Sequence, residues 1–346
     1  MFNIQVYNSI AKSGLSKFDS KKFNISTEVV EPQAYLMRSH KLHGQPIPSS
    51  LVALARAGAG VNNIPVEEYT ERGIVVFNTP GANANAVKEL IVASLLIGSR
   101  DIIGGIEYAN ALIGVNDFAE MNRLLEKEKK RFAGEEIFGK TLGIVGLGAI
   151  GSMVANLGSS LGMKVIGYDP AISVETAWQL SSKVKRMDSL ETLLSQSDFV
   201  TLHVPAIPST KDLINSKNLR KMKPSAKLLN FARAEIVNLN DLIDAIENKV
   251  IGGYISDFPM PGMIGLKNVL LMPHIGASTK EAEENCAVMA SEQLIDFLEN
   301  GNIINSVNFP STEMARTDGT RITFTNENIP KVLGQVLSVF ADLNLN

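Results

Sequence analysis

A glycine-rich turn near the middle of the chain constrains its fold more than any other feature. Gly146-Leu-Gly148-Ala-Ile-Gly151 follows the apolar run TLGIV and opens a segment with helical spacing of apolar residues. Asp169 comes 18 residues after Gly151, at the end of the next predicted strand. This spacing predicts a Rossmann unit, in which the glycines let a pyrophosphate approach the backbone and the helix N-terminus.

Asp169 also indicates which dinucleotide is bound. A carboxylate at the end of the second strand accepts hydrogen bonds from the adenosine ribose hydroxyls and repels the 2′-phosphate of NADP. The sequence therefore predicts NAD as the cofactor. The alternative is a glycine turn that serves only the packing of strand on helix; the agreement of turn, helix and acidic residue favours nucleotide binding.

Length and composition exclude several other classes of protein. A chain of 346 residues that is 45% apolar exceeds one ordinary domain. A net charge of −3 argues against nucleic acid as a partner, and the apolar-rich stretch Leu90–Ile97 is far short of the ~20 residues that span a membrane. The single cysteine, Cys286, excludes a disulfide framework and a multi-cysteine metal site. We therefore expect a cytoplasmic protein with a small-molecule substrate and no metal.

Short β-rich runs alternate with helical patterns along most of the chain, which predicts parallel sheets covered by helices. About a hundred residues of this kind precede the glycine turn. We expect an α/β protein of two Rossmann-like or flavodoxin-like lobes with a cleft between them. One long helix is predicted from about Ala86 to Leu112, and another from Thr279 to Glu299 with Ser278 as its N-cap.

Two residues that follow predicted strands are candidates for the chemistry. His274 lies in MPHIGAST and Arg233 in LLNFARAE, and ligands of α/β sheets bind beyond the carboxyl ends of the strands. A histidine exchanges protons near neutral pH, and a guanidinium holds a carboxylate bidentately. A backbone-capping loop histidine and a surface arginine are equally weighted alternatives. His203 also ends a strand and is expected to line the cofactor groove.

Four segments, in order and spacing, carry a resemblance to a known family. The chain resembles the D-isomer-specific 2-hydroxyacid dehydrogenases through TLGIVGLGAIG, HVP, LLNFARAEIV and NVLLMPHIGAST. Within that family it is most similar to the phosphoglycerate-oxidising branch that carries a C-terminal ACT domain, through LMRSHKLHG, ARAGAGVNNIPVEEYTERGIVVFNTPGANANAVKEL and ENGNIINSVNFP.

The resemblance implies oxidation of 3-phospho-D-glycerate to 3-phosphohydroxypyruvate with NAD, the entry step to serine, by a homodimer or a higher homo-oligomer. It assigns the catalytic base to His274 and the carboxylate-binding arginine to Arg233. Another D-2-hydroxyacid dehydrogenase or 2-oxoacid reductase, acting on an unphosphorylated substrate, is one alternative. A low-activity NAD-binding regulatory protein of the same fold is the other.

The resemblance also implies two sets of binding residues. The set expected to bind substrate comprises Arg38, Ser39, His40, Lys41, Arg56, Ala57, Gly58, Ala59, Gly60 and Asn83. The set expected to bind NAD comprises Gly146, Gly148, Ala149, Ile150, Gly151, Asp169, His203, Val204, Pro205, Thr210, Phe231, Ala232, Arg233, Asp257, His274, Gly276 and Ala277.

The sequence departs from the family at the residue that orients the catalytic histidine. The family has a glutamate a few positions after the equivalent of Asp257, whereas this chain has none between Glu247 and Glu281. His274 then works with a different carboxylate, either Asp257 or one from elsewhere in the fold, or it works at a different pH optimum, or slowly. Glu235, two residues after Arg233, is expected to point outward or to take over part of the missing role.

The resemblance divides the chain into three parts. Residues 1–92 and 280–310 form a discontinuous substrate-binding domain, and residues 93–279 form the NAD-binding domain. Residues 311–346 resemble the first βα unit of an ACT domain, with RITFT as the strand and Pro330 in the first turn of the helix.

Overall fold

The computed structural model describes residues 1–319, 321–326 and 329–343. The chain forms two compact units. The first unit comprises Met1–Pro80 with Glu284–Asn346, and the second unit comprises Gly81–Glu283. Each unit is built around one parallel sheet, so the predicted α/β class is confirmed.

The sheet of the first unit has the strand order of a flavodoxin-like fold. Its five strands are β1 (Phe2–Val6), β2 (Phe23–Ser26), β3 (Ala34–Met37), β4 (Ala53–Arg56) and β5 (Val75–Phe77), with the short helices α1 (Lys12–Leu15) and α2 (Val66–Glu71) between them. The order β2-β1-β3-β4-β5 is parallel throughout. The sequence pattern does not predict β2, because it is a short edge strand with only one buried residue.

The sheet of the second unit has seven parallel strands. Its helices are α3 (Ala84–Ser99), α4 (Ile102–Ala111), α5 (Phe118–Glu128), α6 (Ala149–Ser160), α7 (Val174–Gln179), α8 (Leu190–Gln196), α9 (Ser216–Leu219) and α10 (Leu239–Glu247). Its strands are β6 (Thr141–Val145), β7 (Lys164–Tyr168), β8 (Lys185–Arg186), β9 (Phe199–Leu202), β10 (Lys227–Asn230), β11 (Gly253–Ser256) and β12 (Val269–Leu271). The order β12-β11-β10-β9-β6-β7-β8 is the Rossmann order with one added strand.

Apolar side chains cover both faces of this second sheet, as a parallel sheet between helices requires. On β6, Ile144 belongs to the core cluster that contains Ile91 of α3, whereas Val145 belongs to the cluster that contains Leu193 of α8. Successive residues therefore pack against opposite layers. Because the strands run parallel, their carboxyl ends lie along one edge, and the loops that follow them meet there.

The single long helix predicted from Ala86 to Leu112 is wrong. Arg100 adopts an extended conformation, with φ −149° and ψ 156°, and separates α3 from α4. Asp101 then caps α4, because its Oδ1 accepts the backbone N–H of Gly104 at 2.9 Å.

The helix α11 (Lys280–Asn300) begins in the last residues of the second unit and continues into the first unit. Thr279, not the predicted Ser278, caps it, since Thr279 Oγ1 accepts the backbone N–H of Ala282 at 3.1 Å. Cys286 is buried in this helix. No helix among the described residues is long and apolar enough to cross a membrane.

The tail bears out only half of its predicted βα pattern. The helix is present as α12 (Val332–Asp342), although Pro330 lies before it and Lys331 has φ +77°. The strand predicted at RITFT is wrong: residues 321–326 form none, and the Ile322 and Phe324 side chains that a pairing would bury are exposed. Of the predicted ACT-like part 311–346, residues 320, 327–328 and 344–346 lie outside the described residues, and the ACT assignment stays a prediction.

Candidate active site

Six loops at one edge of the second sheet carry most of the residues expected to bind NAD or to react. They follow the carboxyl ends of β6 (Gly146–Gly151), β7 (Asp169), β9 (His203–Thr210), β10 (Phe231–Arg233), β11 (Asp257) and β12 (His274–Ala277). The strand order reverses between β6 and β9, and ligands of such sheets bind at that reversal.

The glycine loop leaves room for a ligand. A Cβ on Gly151 would lie 2.0 Å from the carbonyl oxygen of Gly146, and a Cβ on Gly146 (φ +90°) would lie 2.8 Å from the backbone of His203. Gly148 instead has no heavy atom within 4 Å of its Cβ position, and no side chain caps α6. The backbone N–H groups at the start of α6 can therefore hold an anionic pyrophosphate.

Asp169 is fixed beside this loop through both of its carboxylate oxygens. Oδ2 accepts the backbone N–H of Leu147 at 2.8 Å, and Oδ1 accepts that of Ala171 at 2.9 Å. Each carboxylate oxygen retains a further lone pair, so the side chain can also accept from ribose hydroxyls. The loop and the carboxylate together fit NAD.

The loop after β9 contributes a neutral histidine. His203 Nε2 lies 3.0 Å from Thr201 Oγ1, and its Nδ1 is buried with no hydrogen-bond partner among the described residues. Burial lowers the pKa of His203 to about 3. Val204 and Pro205 follow, and Thr210 Oγ1 accepts the backbone N–H of Ile207 at 3.0 Å, which closes the loop.

A buried amide that the sequence analysis missed supports the turn that carries Arg233. Asn230, the last residue of β10, donates from Nδ2 to the Arg233 carbonyl at 2.8 Å and accepts the Ala232 N–H at 3.2 Å. Phe231 is buried, and Arg233 Nη1 donates to the Ala232 carbonyl at 2.6 Å. The only sequence signal for Asn230 is an amide that ends an apolar strand directly before the arginine turn.

A buried carboxylate fixes the loop that carries His274. Asp257 is 2% exposed, and its two oxygens accept the backbone N–H groups of Ile275 (2.8 Å) and Gly276 (2.7 Å). His274 itself is exposed, has φ +58° and packs its ring 5.0 Å from that of Phe258. Asp257 thus holds the backbone on which His274 adopts this left-handed conformation. Ala277, which follows, is half-buried.

The imidazole of His274 has no carboxylate within hydrogen-bond distance in the described part of the chain. Asp257 directs both oxygens to the backbone. Glu235 is exposed in a 3₁₀ turn, and only its backbone carbonyl is engaged, by the N–H of Asp212 at 2.9 Å. No described side chain stands in for the missing family glutamate.

Polar residues also gather at the carboxyl ends of β1 and β3 in the first unit. Asn8 has φ +66°, and its Oδ1 accepts the backbone N–H groups of Ser39 (3.0 Å) and His40 (2.7 Å). The His40 ring stacks on Tyr7 at 4.2 Å. Lys41 is exposed. Asn8, also missed by the sequence analysis, therefore shapes the segment expected to bind the phosphate end of the substrate.

The loop after β4 offers backbone donors. Arg56 Nε donates to the Arg38 carbonyl at 2.9 Å, and its Nη1 donates to the Gly60 carbonyl. The Ala57 and Gly58 N–H groups bond to backbone carbonyls within the unit. Among the described residues, the N–H groups of Ala59 and Gly60 have no acceptor, and so they can bind a carboxylate.

Asn83, which is expected to bind substrate, lies in the second unit together with the start of α6. Asn83 directly precedes α3 and makes no capping hydrogen bond with its side chain. A Cβ on Gly81 would lie 3.5 Å from the Cβ of Ala149, which places the start of α3 beside the glycine loop. Ile150, on the first turn of α6, is half-buried.

Comparison with known proteins identifies this arrangement. Residues 108–276 match the family model "D-isomer specific 2-hydroxyacid dehydrogenase, NAD binding domain". The chain is 35% identical over 308 residues to a D-3-phosphoglycerate dehydrogenase of Haemophilus influenzae, and the match covers 86% of this chain and 71% of that protein. The chain belongs to the D-isomer-specific 2-hydroxyacid dehydrogenase family. It is an oxidoreductase with the NAD-binding domain of that family.

Other relatives agree with this assignment. A D-3-phosphoglycerate dehydrogenase of Synechocystis is 38% identical over 315 residues, which cover 88% of this chain but 53% of that protein. Among solved structures, the TT0316 protein of Thermus thermophilus is 26% identical with a TM-score of 0.72, over 88% of this chain and all of that one. The NAD+-bound 3-phosphoglycerate dehydrogenase of Entamoeba histolytica is 25% identical with a TM-score of 0.69, over 89% of this chain and 99% of that one.

In the described residues of the present chain, no cluster of three or more His, Cys, Asp or Glu could hold a metal.

Proposed function

We propose that this dehydrogenase oxidises 3-phospho-D-glycerate to 3-phosphohydroxypyruvate with NAD, the first step of L-serine biosynthesis. The observation that carries the proposal is the placement of a guanidinium, Arg233, and an imidazole, His274, in loops at the sheet edge that also bears the glycine loop. The names of the relatives at 35–38% identity support the choice of substrate.

The two reacting side chains have separate tasks. The Arg233 guanidinium binds the substrate carboxylate and the C2 oxygen through charge-assisted hydrogen bonds. The His274 imidazole takes the proton of the C2 hydroxyl as general base. NAD, when bound, supplies the acceptor for the C2 hydride. Hydrogen bonds from Asn230 and Asp257 hold the backbone of the two loops, which supports a fixed placement of both groups against the substrate.

The remaining predicted residues bind the two ligands. The backbone of Gly146–Gly151 holds the pyrophosphate, and Asp169 accepts from the adenosine ribose. In the first unit, the segment from Arg38 to Lys41 recognises the phosphate, and the free N–H groups of Ala59 and Gly60 bind the carboxylate. Two cationic side chains in the Arg38–Lys41 segment support a phosphorylated substrate over an unphosphorylated one.

A comparison of substrates tests this proposal. NADH fluorescence is followed with 3-phospho-D-glycerate, D-lactate and D-2-hydroxyglutarate in parallel, and the phosphorylated acid is expected to give by far the highest kcat/KM. Faster turnover of an unphosphorylated acid would show that the proposed substrate is wrong, whereas the proposed reaction class would stand.

One observation favours a second candidate, an NAD-binding regulatory protein with little activity. No described carboxylate contacts the imidazole of His274, so the base lacks the partner that the family uses. Tight NADH binding without turnover of any of the three acids would favour the regulatory function.

The dehydrogenase is further proposed to act in the cytoplasm as a homodimer. Large apolar side chains are exposed on and beside α4 and α5, namely Ile106, Ile113 and Phe118, which is typical of a subunit contact. Light scattering on the purified chain tests the oligomeric state. We expect the wild type to have the mass of a dimer and the double variant Phe118→Glu with Ile106→Glu to have the mass of a monomer. A monomeric wild type would refute the proposal.

A further inference from the structure

We propose that Asn230, oriented by Tyr254, is a positioning residue for Arg233. The inference rests on the proposed function of Arg233 as the carboxylate-binding group. Asn230 is fully buried, and its Nδ2 donates to the Arg233 carbonyl at 2.8 Å and lies 3.3 Å from the Tyr254 hydroxyl. Its Oδ1 accepts the Ala232 N–H at 3.2 Å. One side chain therefore binds the backbone on both sides of the Ala232–Arg233 step.

The chemistry of this contact requires an amide. The Ala232 N–H needs an acceptor, and the Arg233 carbonyl, which also accepts the Ile236 N–H at 3.4 Å, takes a second donor; both groups face the same buried side chain. A buried polar group without a partner is strongly disfavoured. Asn supplies a donor and an acceptor from one planar group. An ionised Asp of the same shape lacks the donor, and Leu satisfies neither partner.

The position of the turn determines the position of the guanidinium. Arg233 Nη1 donates back to the Ala232 carbonyl at 2.6 Å, so the side chain is folded onto the same backbone that Asn230 holds. A shift of that backbone moves the charged group with it. Displacements of about 1 Å in substrate-positioning groups cost about 100-fold in rate.

The same buried network reaches the supports of His274. The Asn230 carbonyl accepts the Ser256 hydroxyl at 3.0 Å and the Asp257 N–H at 3.2 Å. Asp257 in turn holds the His274 loop. Asn230 thus fixes the arginine turn relative to the carboxylate that fixes the histidine loop.

Asn230→Asp tests the role through a pH signature. The titratable groups around this position are Tyr254, Asp257 and Arg233. An ionised Asp at position 230 presents an oxygen to the Arg233 carbonyl, and we expect kcat/KM for the acid to fall about 100-fold at pH 8. A protonated Asp donates again, so the ratio of variant to wild-type kcat/KM should rise as the pH falls. The matched control is Asn238→Asp, which retains the N-cap of α10 through the N–H of Asp241 and should give a ratio near one at every pH.

Two further measurements separate positioning from a general loss of structure. NADH affinity should change less than about twofold, and Asn230→Asp should add less than about threefold to the loss caused by Arg233→Ala alone. Full additivity, or an equal loss of NADH affinity, would overturn the proposal. Where Asn230→Asp does not fold, Tyr254→Phe carries the test, with an expected loss of about fivefold in kcat/KM that also disappears on the Arg233→Ala background.

Binding of oxalate to the NADH complex provides a readout without turnover. Both Asn230→Asp and Arg233→Ala should weaken the oxalate-dependent change in NADH fluorescence. If the wild type oxidises a different hydroxy acid or none, the proposed substrate or activity fails, while oxalate affinity still decides the role of Asn230. Wild-type oxalate affinity in Asn230→Asp would refute the inference.

Discussion

Two histidines occupy corresponding places in the second sheet and yet have opposite surroundings. His203 follows β9 with its Nδ1 buried and unpartnered among the described residues, and burial lowers its pKa to about 3. His274 follows β12, is exposed, and depends on a backbone fixed by Asp257. A base must reach its substrate and exchange a proton with it, which only the second environment permits.

The environment around a histidine, not its place at a strand end, therefore separates the proposed base His274 from the packing residue His203. His203 stays neutral, with its ring beside Thr201 and its backbone beside the glycine loop. His274 is held by hydrogen bonds to its neighbours' backbone and not by a partner on its ring.

Replacement of His274 should have the largest effect. His274→Ala removes the proposed base, and we expect kcat to fall by about 10³-fold, while NADH affinity stays within about twofold because the glycine loop is untouched. The control is His43→Gln, an exposed histidine of the first unit, which should retain full activity. Wild-type turnover in His274→Ala would remove this histidine from the mechanism.

Loss of the loop support should have the second largest effect. Asp257→Asn turns an amide N–H toward one of the two backbone N–H groups, and we expect kcat to fall about 100-fold and the free energy of unfolding to fall by about 1–3 kcal/mol.

Asp198→Asn is the matched control for this variant. Asp198 accepts the Thr141 N–H at 2.8 Å and pairs with Lys223 at the opposite edge of the same sheet. The control should lose stability but keep kcat in the folded protein. Equal losses of kcat in both variants would show that Asp257 acts only through stability.

The burial of His203 predicts a dependence of stability on pH. Its pKa is about 3 in the folded state against 6.5 for the unperturbed side chain, so the unfolded state binds the proton more readily between these values. The contribution of neutral His203 to the free energy of unfolding is therefore fully present above pH 6.5 and is lost as the pH drops toward 3. The contribution amounts to about 2 kcal/mol between pH 7 and pH 5.

Urea unfolding at pH 7 and pH 5 measures this contribution. In His203→Gln the difference between the two pH values should shrink by about 2 kcal/mol, whereas His43→Gln should leave it as in the wild type. An unchanged difference in His203→Gln would show that His203 does not remain neutral in the folded protein.

Glu235 should have the smallest effect. Its side chain is exposed and makes no hydrogen bond among the described residues, so Glu235→Gln should leave the pH–rate profile unchanged and sink the hypothesis that Glu235 assists His274. A shifted profile would instead make Glu235 the replacement for the missing family glutamate.

The sequence predicted the parts of the site that depend on local patterns. The glycine turn, Asp169 and the strand ends that carry Arg233 and His274 could be read from neighbouring residues. The supports, Asn230 and Asn8, could not be predicted in this way, because their partners are set by how the chain turns after a strand. Asp101 is an N-cap signal that separates α3 from α4, but it lies within an apolar stretch. The helical periodicity on either side of Asp101 obscured this signal.

Hydride transfer from C2 of the phosphorylated acid is the most direct test of the account. The wild-type dehydrogenase is incubated with NAD and 3-phospho-D-glycerate carrying deuterium at C2, and the reduced cofactor is analysed by mass spectrometry. We predict one deuterium in the NADH formed and a slower rate than with the unlabelled acid. Reduced cofactor without deuterium, or no reduced cofactor, would contradict the account.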